Sequence, residues 1–159
     1  MNTTIAYRAA GSGNTLNALG EAVTVAVAAA DTGGAYTVVT VTSPPQGGPP
    51  ALHTHPAAET FVILAGEYEF SAMGADGAYT FRAAAGDTVH VPGGAPHNYR
   101  NIGASEGRYA ATFTPGGMEA FFADLAALAA EAAGPPDRER AMAICRRHQV
   151  EFMGPPAHH

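Results

Sequence analysis

The chain has 159 residues, a formal net charge of −6 and only 14% charged residues, which fits one domain able to bury a sizeable core. Its eight Lys and Arg form no patch, which argues against a nucleic-acid-binding face. Cys145 is the single cysteine, so an intramolecular disulfide and a CxxC metal or redox motif are excluded, and no apolar run is long enough to span a bilayer.

The first residues lack a basic segment followed by an apolar core, so no signal peptide is expected and the protein is expected to be cytoplasmic. Ile5, Tyr7, Leu16 and Leu19 flank a Gly11-Ser12-Gly13-Asn14 turn and read as an arm or lead-in strand. Val23, Val25 and Val27 alternate with Thr24 and Ala26, a strand signature. Asp31 to Gly34 is a turn, and the β-branched run Tyr36 to Thr42 is a second strand. Ser43 to Pro50 holds four prolines and two glycines, and can only be an irregular connection. Phe61 to Leu64 is apolar at every position, which predicts a strand buried on both faces.

Glu67 to Phe70 alternates, Met73 to Gly77 is a hairpin turn, and Tyr79 to Arg82 returns. Thr88 to Val91 is a short strand stopped by Pro92. Pro92 to Asn101 is a tight loop that delivers His97, and Arg108 to Thr114 is the last strand. At least about seven short strands without intervening helices predict a barrel or a two-sheet sandwich. The period then changes. Met118, Phe121, Phe122, Leu125, Leu128 and Ala132 follow helical spacing up to Gly134-Pro135-Pro136. Asp137 caps a second helix reaching about His148, with Ala141, Ile144 and Cys145 on its apolar side. Glu151 to His159 reads as irregular. Residues 1–114 are thus expected to form the β domain, and residues 115–159 a helical extension packed on it.

The chemistry concentrates after the proline-rich connection. In a strand His53 and His55 point to one face, and Glu59 keeps that parity if the chain stays extended past Pro56. Two imidazoles and a carboxylate form a ligand set for Fe, Mn, Ni, Co or Zn. The spacing runs Gly47, five residues, His53-Thr54-His55, three residues, Glu59, six residues, Gly66. A second block runs Gly86, five residues, Pro92, one residue, Gly94, two residues, His97, three residues, Asn101.

Together the two blocks resemble the paired motifs of the cupin superfamily. The resemblance implies a double-stranded β-helix, the jelly-roll cupin barrel, with two short C-terminal α-helices. It implies one divalent transition metal held by His53, His55, Glu59 and His97, with open positions for water, O2 or substrate. PGGMEAFF (Pro115 to Phe122) and VEFMGPP (Val150 to Pro156) resemble single-domain bacterial cupins of the quercetin-dioxygenase-like type. That implies a metal-dependent dioxygenase, with Glu59 as base and O2 as co-substrate. The strands around the site carry few charges, so a small apolar, enolisable or aromatic substrate is expected in preference to a nucleotide or sugar phosphate. Family habit implies a homodimer.

Two rival functions are a non-oxidative isomerase, cyclase or lyase using the metal as a Lewis acid, and a binding or sensing cupin without turnover. Outside the ligand set, His90, Arg82 and Arg100 read as surface residues, and Tyr68, Tyr99 and Tyr109 as core. Cys145 reads as structural. His158 and His159 are excluded from the site.

Overall fold

A computed structural model describes residues 3–153; His158 and His159 lie outside the described residues. Among the described residues, eleven strands, a short 3-10 helix (Ala29–Thr32) and two α-helices follow one another. The strands are β1 (Thr15–Ala18), β2 (Glu21–Val27), β3 (Thr37–Ser43), β4 (His53–Thr54), β5 (Ala58–Ala65), β6 (Glu67–Gly74), β7 (Gly77–Ala84), β8 (Thr88–Val91), β9 (His97–Asn101) and β10 (Gly107–Thr114). Helices α1 (Met118–Glu131) and α2 (Arg138–Arg147) come next, and β11 (Glu151–Phe152) ends the described chain.

The strands form two antiparallel sheets. One has the order β1-β2-β3-β10-β5-β8, and the other β11-β4-β9-β6-β7. The expected closed cupin barrel is corrected by this order. Neither sheet closes among the described residues: β1 and β8 end the first, and β11 and β7 end the second. The consecutive strands β7 and β8 lie in different sheets, so the ladder that would join them is missing. The sandwich, which strand patterning alone also allowed, is what forms.

Aromatic rings fill the space between the sheets. Phe61 of β5 meets Phe70 of β6 at 5.1 Å between centroids, Tyr99 of β9 at 5.5 Å and Tyr109 of β10 at 5.1 Å. Ring pairs at these separations add to the burial of their large apolar area. Only one face of β5 is buried, contrary to the expectation for Phe61 to Leu64. Phe61 and Ile63 point inward at 0% and 1% exposure, while Val62 and Leu64 are 40% and 46% exposed. An all-apolar run does not distinguish a two-sided core strand from a one-sided strand with an apolar outer face.

The proline-rich connection is held by the last residue of the second sequence block. Asn101 is fully buried; its Nδ2 donates to the carbonyls of Ser43, Pro44 and Ser105, and its Oδ1 accepts from Gly103 N. Backbone bonds Gln46 N to Asn101 O and Asn101 N to Gly47 O, each 2.9 Å, complete the staple. The backbone groups of this non-regular segment are thereby satisfied without a sheet.

Both helices form as expected. Asp137 caps α2 by accepting from Glu139 N (2.9 Å) and Arg140 N (3.2 Å). Phe121, Leu125 and Leu128 are the buried face of α1, which packs against β1 and β3. The segment read as an irregular tail instead begins with a strand. Glu151 and Phe152 pair with Thr54 and His53, which returns the C-terminal part of the chain to the histidines. No described helix is long and apolar enough to cross a membrane.

Candidate metal centre

The chain bends at Pro56 and Ala57, yet His53, His55, Ala57, Glu59 and Phe61 are all buried while the residues between them are not, so Glu59 keeps the expected parity with His53. His53 lies in β4 of the five-stranded sheet and Glu59 in β5 of the six-stranded sheet. The segment between them crosses from one sheet to the other. Convergence comes from this crossover and from pairing, with His53 directly opposite His97 across β4 and β9. The loop before β9 packs on the same crossover: Gly94 N donates to His55 O at 2.9 Å. A Cβ at Gly93 would lie 2.3 Å from the Pro56 carbonyl oxygen, so only glycine permits that approach.

His53, His55 and His97 are all buried, and a ligand nitrogen from each lies within 4.8 Å of the others. The outer nitrogens fix the tautomers. Nδ1–H of His53 donates to Ala51 O (3.1 Å), that of His55 to Ala57 O (2.8 Å) and that of His97 to Ala95 O (2.9 Å). A carbonyl only accepts, so in each neutral ring Nε2 carries the lone pair. Such carbonyl anchors orient the imidazoles of metal sites.

Glu59, 5% exposed, places Oε2 at 3.1 Å from His55 Nε2 and 3.3 Å from His97 Nε2. Acceptors then face acceptors, and only a cation or a proton between them makes the arrangement favourable. Burial alone would lower the His55 pKa, but the Glu59 carboxylate outweighs it and the net shift is upward. Burial would raise Glu59, but the hydrogen bonds from His55 and His97 pull it down. Burial, and then the neighbouring His97, push His53 down to about 4, which leaves it a neutral ligand at ordinary pH. The donor set therefore fits a buried divalent transition metal, as expected.

A cavity of about 50 Å³ opens beside these groups. Its walls are mostly apolar, with Phe113, Met118, Phe121, Phe122 and Phe152 among them. Phe152 lies 5.7 Å from the His53 ring and Phe113 lies 5.9 Å from the His55 ring. The apolar cavity expected from the sequence is present, and it is small.

Of the other residues weighed from the sequence, His90, Arg82, Arg100 and Cys145 are apart from this site, whereas Tyr99 and Tyr109 line its cavity. His90 is on the exposed side of the edge strand β8, within 2.8 Å of Thr60 Oγ1. Arg82 pairs with Glu67 at 3.6 Å and Arg100 with Glu69 at 3.4 Å. Burial raises the Cys145 thiol pKa, as befits an unreactive core cysteine. Tyr68, Tyr99 and Tyr109 are buried as expected.

One cavity residue escaped sequence reasoning. Glu21, 4% exposed, lines the cavity together with His53, His55 and Glu59. The available signal was its parity: Glu21 shares a strand face with the inward residue Val23.

The structure thus defines a two-sheet β protein with a buried three-histidine metal-binding cluster. Residues 39–113 match the family described as "Cupin domain". Among solved structures, it is similar to a recombinant oxalate oxidase in complex with glycolate, at 28% identity and a TM-score of 0.52, over 62% of this chain and 54% of that one. It also resembles oxalate decarboxylase from Bacillus subtilis at 24% identity and a TM-score of 0.55, over 65% of this chain and 28% of that one. A third similarity is to oxalate decarboxylase from Lactobacillus farciminis in a formate complex, at 22% identity and a TM-score of 0.56, over 65% and 31%. The two decarboxylase likenesses concern the fold alone. The chain spans about half the length of the oxidase and under a third of the decarboxylases. No curated protein is matched by the sequence. The expected quercetin-dioxygenase-like character finds no counterpart in these matches, which are to oxalate oxidase and decarboxylase cupins.

Proposed function

We propose that the protein is a metal-dependent cupin enzyme acting non-oxidatively, as a lyase or isomerase, on a small substrate. The carrying observation is the convergence of His53, His55, His97 and Glu59 as acceptors beside a cavity of about 50 Å³. A space of that size takes a molecule of a few heavy atoms; sites for drug-sized ligands occupy roughly 300–1,000 Å³. A flavonol is too large for it, which weighs against the quercetinase-like reading. By their names, the relatives named above act on oxalate, a small molecule, which agrees with a small substrate.

In this reading the three imidazoles and Glu59 hold the metal, and a bound metal supplies Lewis-acid polarisation. Glu59 is also the candidate base, being a carboxylate beside the position a substrate would take. The apolar walls exclude water and strengthen electrostatic interactions within the cavity.

The test couples metal content with oxygen dependence. Untagged protein is assayed for bound metals, then incubated with small keto, hydroxy and carboxylic compounds in air and under argon. Product formation indifferent to O2 is expected. Turnover that stops under argon would overturn the non-oxidative reading, and tight binding without any product would point to a sensing module.

A further inference from the structure

Glu21 is brought to the cavity by the β1–β2 hairpin. Ala18 pairs with Glu21 across a two-residue turn in which Leu19 and Gly20 both have positive φ, 53° and 80°. Positive φ at both central positions is the geometry that matches the twist of a tight hairpin, at some cost for a leucine. The turn itself reaches the cavity, since Leu19 is one of its walls.

Hydroxyl groups converge on the Glu21 carboxylate. Oε1 accepts from the Tyr99 hydroxyl at 2.7 Å, and Oε2 accepts from Ser43 Oγ. Ser43 Oγ in turn accepts from the Tyr68 hydroxyl at 3.0 Å. Tyr99 and Tyr109 are hydrogen-bonded through their hydroxyls. Tyr99 spends its proton on Glu21, so Tyr109 must donate to Tyr99. Two chains of donors therefore end on one carboxylate, whose oxygens can each accept a further bond. A Cβ at Gly107 would come within 2.6 Å of the Tyr68 hydroxyl, so glycine there leaves the room this chain needs.

The basic groups lining the cavity are His53 and His55, which as metal ligands are neutral. The lining includes Glu21 and Glu59 but neither Lys nor Arg. Facing Glu21 are Ser43 of β3, Tyr68 of β6, Tyr99 of β9 and Tyr109 of β10, with Glu59 of β5 acting on it through charge. Two carboxylates balance one divalent cation, so an anionic ligand would add negative charge that nothing in the walls compensates.

We infer that Glu21 sets the specificity of this cavity for an uncharged small molecule carrying a hydroxyl or amide N–H donor, and against dicarboxylates such as oxalate. The inference rests on the proposed metal-dependent function and names the substrate class of the same site. It separates this protein from the oxalate-handling relatives that share its fold. The surroundings of Glu21 agree: burial raises its pKa most, the Ser43 and Tyr99 hydrogen bonds oppose that, and the charge of Glu59 raises it further. One more negative charge is unwelcome there.

The test uses an isosteric series of decreasing charge: oxalate, oxamate and oxamide. Each is titrated by calorimetry into metal-loaded wild type and Glu21→Gln at matched metal content. Removing the carboxylate charge should tighten oxalate by about tenfold or more and oxamate by less, with oxamide unchanged or weaker. Equal effects on all three, no effect on any, or no binding of any would overturn the inference. Should Glu21→Gln fail to fold, wild type at about pH 8 still decides the matter. Oxalate binding should then take up protons, read from the heats in two buffers, and oxamide binding should not. Equal proton counts would overturn the inference. Metal content and O2 dependence are measured separately, so failure of the proposed function is told apart from failure of the role of Glu21.

Discussion

Two polar clusters share one cavity and are opposite in kind. Around Glu59, three imidazole nitrogens and a carboxylate oxygen converge, and only a cation or a proton between them satisfies them. Around Glu21, four hydroxyls supply donors that end on the carboxylate. The first group needs a cation or a proton from outside its own donors, whereas the second already has hydroxyl donors within the protein. The comparison shows how a metal site differs physically from a buried polar network: the difference is the balance of donors and acceptors, and both clusters are equally buried.

The largest effect expected from breaking this contrast is on metal affinity. His97→Ala removes a ligand fixed opposite His53, and bound metal should fall by more than about a hundredfold in affinity, read by elemental analysis and competitive chelation. Tyr99→Phe should leave metal content unchanged. Equal metal in wild type and His97→Ala would sink the ligand assignment. Next comes removal of the metal itself. With free metal at a hundred times its Kd, chelation should lower unfolding free energy by about 2.7 kcal/mol, seen as a lower denaturant midpoint. A midpoint indifferent to chelator would mean that the native protein holds no metal tightly.

Tyr99→Phe attacks the complete cluster. It deprives buried Glu21 of a donor and Tyr109 of its acceptor, and should cost about 1–3 kcal/mol in urea unfolding. A neutral result would show the network to be dispensable. The smallest effect expected is a change in pH slope. The Glu21 pKa is raised in the folded state above its ordinary 4.5, so the native state holds that proton more tightly than the unfolded chain. The resulting stability is fully present below that value and is lost as pH rises through the raised one. Wild type should therefore lose stability relative to Glu21→Gln as pH climbs from about 4.5, in paired denaturation curves. Parallel curves across that range would contradict the raised pKa.

The three clustered histidines were legible because each carries a local mark. His53 and His55 are separated by one residue, and the glycine and proline spacing before His97 repeats the turn chemistry that delivers it. The strands read correctly wherever β-branched alternation was clean, as in Thr37–Ser43, and α2 was announced by Asp137. Glu21 was not legible, because its meaning depends on Ser43 and Tyr99, which are 22 and 78 residues away. The parity linking His53 to Glu59 held, but the change of sheet between them was not legible, for a similar reason. Whether a chain crosses between sheets at Pro56 depends on which strands each half pairs with, and periodicity carries no information about partners.

By itself, then, the sequence determined which residues could bind a metal and where most strands and both helices run, since spacing, turn chemistry and periodicity are properties of neighbours along the chain. Tertiary structure alone decided that the sheets stay open and that the chain crosses between them at Pro56. It also decided that a second carboxyl shares the metal cavity. Each of these depends on pairing and burial between distant segments, where hydrogen-bond ladders and loss of solvent fix the outcome.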